Sequence, residues 1–175
     1  MVHADASAFA HGLSKKEVYA QVLDQARLLF DGQRNWVSNF SNTSALLWHA
    51  YHSLPWPSSA VNWAGFYFTD PLDPERLILG PFQGQVACQI IAFGRGVCGT
   101  AAASQMTQVV EDVDKFPGHI ACDGASKSEI VVPIVQGGKT VAIIDIDCAE
   151  LHGFTSEDQE ALEELAELLA RSCDF

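Results

Sequence analysis

The chain has 175 residues, a length at which one hydrophobic core can serve the whole molecule, so a single domain over 1–175 is expected, with a core of about 14–172 and a flexible 1–13. Ten Lys and Arg against 22 Asp and Glu give a formal net charge of −12, a field that repels nucleic-acid backbones and anionic membrane surfaces. No apolar run approaches the ~20 residues that span a bilayer, and five unevenly spaced cysteines do not form a secreted disulfide framework, so reduced thiols in the cytoplasm are expected.

Ser14 and Glu17 make a capping box, behind which Val18, Val22, Ala26, Leu29 and Phe30 recur at helical spacing. A second helix is expected over Ser44 to His52, stopped by Pro55 and Pro57, with Trp48 in the core. Val61 to Phe68 is rich in β-branched and aromatic residues and closes on Asp70-Pro71 and Asp73-Pro74. Arg76 to Leu79 and Gln85 to Phe93 read as two further strands of an antiparallel meander, parted by Gly80, Pro81 and Gly84.

Gly94 to Gly99 then leads into a short alanine-rich helix over Thr100 to Ser104, and Gln108 to Val113 reads as another strand. A long loop from Asp114 to Lys127 carries His119 and Cys122; loops of this length in compact domains tend to be functional or disordered. Glu129 to Val135 and Thr140 to Asp147 flank Gln136-Gly137-Gly138-Lys139 as a hairpin. Thr155 and Asp158 cap a last helix with the stripe Leu162, Leu165, Leu168 and Leu169. The expected fold is α+β: a mainly antiparallel sheet of about six strands, with the terminal helices on one face.

Three cysteines stand in marked settings: Cys88 in a strand, Cys98 between glycines near a helix start, and Cys122 in the long loop beside His119. A helix N-terminus stabilises a thiolate, which gives Cys98 one route to reactivity. Cys148 ends a strand, and Cys173 lies at a terminus expected to fray. His119 and Cys122 have a His-x-x-Cys spacing but no second knuckle follows, so no metal site is expected and thiol redox chemistry is the stronger reading.

Strand alternation puts Asp145 and Asp147 on one face and Ile144 and Ile146 on the other, so two like charges are neighbours in an apolar setting that a ligand ammonium would relieve. Glu129 joins them if the hairpin loop is odd in length and falls on the other face if it is even. Trp63 and Tyr67 share a face opposite Phe66 and Phe68, so one pair is core and the other available to line a cavity.

The runs Asn62-Trp63-Ala64-Gly65-Phe66-Tyr67, Leu79-Gly80-Pro81-Phe82-Gln83-Gly84, Gly94 to Gly99, Phe116 to Asp123, Ser128 to Pro133 and Asp145-Ile146-Asp147 together closely resemble the free methionine-(R)-sulfoxide reductases, a stand-alone branch of GAF domains. The resemblance spans nearly the whole chain; a departure is Cys148, where that family often has serine. It implies a GAF-like fold, a thiol enzyme without bound cofactor, thioredoxin as external reductant, and a possible homodimer. It also implies a closed pocket in which Trp63 and Tyr67 meet the methyl and thioether region and Glu129, Asp145 and Asp147 hold the amino group. Cys122 would attack the sulfoxide, Glu129 or Asp145 would donate the proton, and Cys88 would resolve the sulfenic acid. Cys98 could exchange roles with either thiol. The rival expectations are a small-molecule-sensing GAF module without catalysis and an interaction domain.

Overall fold

The computed structural model of the chain describes residues 8–118 and 124–175. Helix α1 (Lys15–Phe30) starts at the expected capping box: Ser14 Oγ accepts from the Glu17 amide, and Glu17 accepts from the Ser14 amide at 2.8 Å. Helix α2 (Trp36–Ser53) begins at Trp36, well before Ser44, because the Asn35 side chain accepts from the Ser38 amide at 3.1 Å. Within the polar run that hid these first turns Asn39, Thr43 and Ser44 are buried, and Thr43 and Ser44 return their hydroxyls to the carbonyls of Asn39 and Phe40.

Six strands follow: β1 (Val61–Asp70), β2 (Asp73–Gly84), β3 (Ile90–Ala92), β4 (Gln108–Val110), β5 (Ser128–Gln136) and β6 (Lys139–Cys148). They form one antiparallel sheet in the order β3-β2-β1-β6-β5-β4. Helices α1, α2 and α4 (Ser156–Ser172) cover one face, where Phe40, Phe66, Ile130, Ile144, Ile146 and Leu162 are buried together. The short α3 (Gly96–Ser104) lies on the other face, over a second core holding Trp63, Tyr67, Leu77, Val131 and Ile143. The expected face assignment of the aromatics holds. No helix among the described residues is long and apolar enough to cross a membrane.

Three expectations about the strands need correction, the first being that the strand expected over Gln108 to Val113 ends at Val110, with Val113 opening a single 3-10 turn, Val113–Lys115. Gly80 and Pro81 do not end β2: they lie in the step between Gly65↔Phe82 and Tyr67↔Leu79, where β2 spends one residue more than β1. That is a bulge on a stretch that β3, paired only to Arg76–Ile78, leaves open on its other side, so the missing proline N–H costs no ladder bond there. Most of Gln85 to Phe93 is correspondingly loop, with only Ile90–Ala92 in a strand.

The β5–β6 turn has two residues, Gly137 and Gly138, both at positive φ. By loop parity alone Glu129 would point into the helix-covered core. A register shift intervenes between Ile134↔Ala142 and Val135↔Thr140, where Val141 is the extra residue on β6. Beyond it Glu129 faces Asp147, and the three acids share a face.

Cys173 does not fray. It is fully buried, Asn39 Nδ2 donates to its sulfur at 3.4 Å, and the Arg34–Asp174 ion pair holds the chain end at 2.7 Å.

Candidate active site

Directly opposed residues on antiparallel strands project to the same side. Trp63 opposes Asp147, Gly65 opposes Asp145 and Tyr67 opposes Ile143, while Glu129 and Val131 oppose Asp147 and Asp145 from β5. Three central strands thus deliver two aromatics and three carboxyl groups to one patch. At Gly65 a Cβ would sit 2.3 Å from Phe82 Cβ, so only glycine lets the aromatic layer close over β1.

Above this patch is a cavity of about 220 Å³ walled by Tyr67, Cys88, Cys98, Glu129, Asp145 and Asp147. Glu129 and Asp145 are 6% and 5% exposed. Burial is the main force on both: it pushes Glu129 well above the usual carboxyl range, with further help from Asp145 and Asp147, and it pushes Asp145 up to about 7. Hydrogen bonding from Cys98 and Glu129 draws Asp145 partly back. The two neighbouring carboxyls therefore hold a proton between them at neutral pH. Oδ1 of Asp145 is buried without a hydrogen-bond partner among the described residues. A protonated carboxyl beside an unsatisfied carboxylate suits a ligand carrying both an acceptor oxygen and a cation.

Helix α3 starts at Gly96, earlier than the alanine run suggests, so Cys98 lies inside its first turn. Its position is fixed by Gly99, where a Cβ would stand 2.3 Å from the carbonyl oxygen of Ala92. The expected thiolate stabilisation at the helix start is outweighed. Burial, then Asp145 and Glu129, push the Cys98 thiol well above its ordinary pKa, and the thiol donates to Glu129 Oε1 at 3.5 Å. Cys98 is a protonated wall residue.

Trp63 does not reach the cavity wall; it lies behind Tyr67 and Phe82, stacked at centroid distances of 5.8 and 5.1 Å, with its indole N–H on the Gln85 carbonyl. Tyr67 does line the cavity, and burial raises its phenol so that it stays neutral. Cys88 is half-buried at the wall and disulfide-bonded, whereas Cys98, Cys148 and Cys173 are free thiols. Cys148 packs away from the cavity, its sulfur on the Pro57 carbonyl at 3.4 Å. Cys122 and His119 lie outside the described residues.

Sequence reasoning missed two polar groups on the wall, Arg95 before α3 and Ser126, whose hydroxyl accepts from Asn62 at 3.3 Å. Arg95 was legible only as part of a glycine-rich run, and nothing in its spacing pointed to a cavity. The described residues that offer a metal-ligating group are likewise non-local: Cys98, Glu129 and Asp145 have donor atoms all within 4.8 Å of one another.

Residues 12–172 match the GAF domain family. The chain is 56% identical over 174 residues to the free methionine-R-sulfoxide reductase of Saccharomyces cerevisiae, covering 99% of this chain and 95% of that one. It is 43% identical over 159 residues to the enzyme of the same name from Escherichia coli, covering 91% and 90%. Among solved structures, the free methionine-R-sulfoxide reductase of Neisseria meningitidis in complex with its substrate superposes with a TM-score of 0.85 at 40% identity, covering 95% of each chain. By its sheet, its sequence and these likenesses, the chain belongs to the GAF domain family and, within it, to the free methionine-R-sulfoxide reductases.

Proposed function

We propose that the chain reduces free methionine-R-sulfoxide to methionine in the cytoplasm, using cysteine thiols and no resident cofactor. The observation that carries this reading is the cavity in which buried Glu129 and Asp145, with Asp147, stand beside Cys88 and Cys98. Asp145 and Asp147 hold the substrate ammonium, and Tyr67 covers the methyl and thioether portion, with Trp63 stacked behind it. A peptide-bound sulfoxide presents a neutral amide in place of the ammonium and leaves the Asp145 carboxylate unpaired, which accounts for selection of the free amino acid.

Cys122 attacks the sulfoxide sulfur as thiolate, and Glu129 delivers its proton to the oxygen. The S–O bond passes to Cys122 as a sulfenic acid, and methionine leaves with the substrate sulfur reduced by two electrons. The Cys88 thiol then displaces water from Cys122 to form a disulfide, and thioredoxin, itself oxidised, returns both thiols. The disulfide-bonded state of Cys88 at the cavity wall supports its resolving role.

The test mixes reduced enzyme with one equivalent of each sulfoxide epimer, counts thiols, measures released methionine and maps the disulfide by mass. Loss of two thiols per methionine from the R epimer, with regeneration by thioredoxin, is expected. Binding without thiol loss would indicate a sensing module, and turnover of the S epimer or of peptide-bound sulfoxide would overturn the specificity.

A further inference from the structure

We propose that Cys98, Glu129 and Asp145 form a binding site for a thiophilic divalent cation of the zinc class. Their donor atoms come from three different elements, α3, β5 and β6, and all three residues are buried. Zinc bonds of about 2.3 Å to sulfur and about 2.0–2.2 Å to carboxylate oxygen place tetrahedral S and O ligands roughly 3.6 Å apart. Cys98 Sγ and Glu129 Oε1 already stand 3.5 Å apart. The third member needs only a short approach from within the 4.8 Å span.

An independent feature points to a cation here. Asp145 Oδ1 is buried with no hydrogen-bond partner among the described residues, in a side chain that belongs to the cavity lining, so a cation bound beside it would satisfy an oxygen otherwise left bare. An open cavity side supplies the remaining coordination position from solvent, as in sites that keep a labile ligand. The formal charge of −12 draws cations toward the chain as a whole. Loss of the Cys98 and Glu129 protons on metallation leaves a thiolate and two carboxylates around a 2+ ion, a donor set matched to zinc and not to magnesium or calcium.

Asp145 is also a proposed ammonium ligand, so ion and substrate exclude each other; this clause rests on the proposed function. The site thereby couples reduction of the sulfoxide to the free zinc level, with the metal acting as a competitive inhibitor.

Reduced, desalted full-length chain is titrated with Co²⁺ and then Zn²⁺. A sulfur-to-cobalt charge-transfer band at about one equivalent, displaced by zinc, is expected. Cys98→Ser should abolish the band and weaken zinc binding by about 100-fold or more, beyond the roughly 10–100-fold that loss of an outer partner costs. Glu129→Gln should weaken it while keeping the band, and Cys88→Ser, Cys122→Ser and Cys148→Ser should retain both. Near-ultraviolet circular dichroism verifies the fold of each variant. Free methionine-R-sulfoxide should displace the cobalt. A chain that turns over sulfoxide yet shows no sulfur–cobalt band, or whose band survives Cys98→Ser, overturns the metal site and leaves the reductase reading intact. A Cys98-dependent band in a chain that releases no methionine does the reverse. Cobalt bound together with sulfoxide overturns the competition alone.

Discussion

Replacing Asp145 by Asn separates stability from binding at the cavity floor. In the folded chain the Asp145 carboxyl titrates at about 7 against an ordinary 3.8, with burial as the cause. The folded state holds this proton more tightly than the unfolded chain does, so the contribution of this group to stability is greatest where both states are protonated and is lost as pH rises from about 4 to about 7. Each tenfold difference in proton affinity between the two states is worth about 1.4 kcal/mol, so the full cost of the ionised, buried group at pH 8 has an upper bound of roughly 4 kcal/mol. Between pH 5 and pH 8 the change is about 2 kcal/mol once relaxation and proton sharing with Glu129 are allowed for. Asn carries no titrating proton, so its buried amide adds a pH-independent offset. Urea denaturation of both proteins at pH 5 and pH 8, with chelator present, should show the wild type losing about 2 kcal/mol relative to Asp145→Asn on going to the higher pH. A stability difference that does not change with pH would refute the assignment of Asp145 as a buried, strained acid. The same substitution should raise KM for the free sulfoxide, because the ammonium loses its charged partner.

Cys122→Ser should end methionine release, while Cys88→Ser should release about one methionine per chain and leave a sulfenic acid that a dimedone probe traps. Asp158 is fully buried and binds Lys15 at 2.6 Å and the hydroxyls of Tyr19 and Tyr51 at 2.8 and 3.1 Å. Asp158→Ala removes the charged partner of Lys15 and leaves the two phenols only each other, and should cost about 3–5 kcal/mol, a fall in Tm of roughly 6–20 °C by calorimetry. Gly65→Ala drives a methyl into Phe82 and Trp63 and should cost about 1–3 kcal/mol in the same measurement, with a drop in activity as the aromatic layer shifts.

Much of the fold was legible because local signals and the tertiary outcome agree: the Ser14–Glu17 box, the hairpin glycines and the leucine stripe of α4 each act within a few residues. What failed locally was decided by distant packing. Thr43 and Ser44 look polar but are buried against the sheet, and Pro81 continues β2 because the neighbour that would need its N–H is absent at that rung. In the site, alternation alone aligned Asp145 with Asp147, and put Trp63 beside Tyr67. The face of Glu129 depended on one extra residue in β6, and its contact with Cys98 joins positions 31 apart in sequence. Neither could be read from a pattern. The environment of Cys98 escapes sequence reasoning for a related cause: proximity to a helix start is visible in sequence, but the carboxyls facing it from β5 and β6 are not.

The extra residue at Val141 also sets which changes of length the hairpin can absorb. Its side chain and that of Ala142 both lie with the helix-side core, so β6 makes a half-turn of phase there, between the glycine tip and the acidic rungs. The tip can lengthen by an even number of residues without consequence for the cavity, since the parity of the rungs below the bulge is then kept. Deleting Val141 would instead deliver Glu129 into hydrocarbon and an isoleucine into the cavity, a frameshift in three dimensions produced by one residue far from any reacting atom.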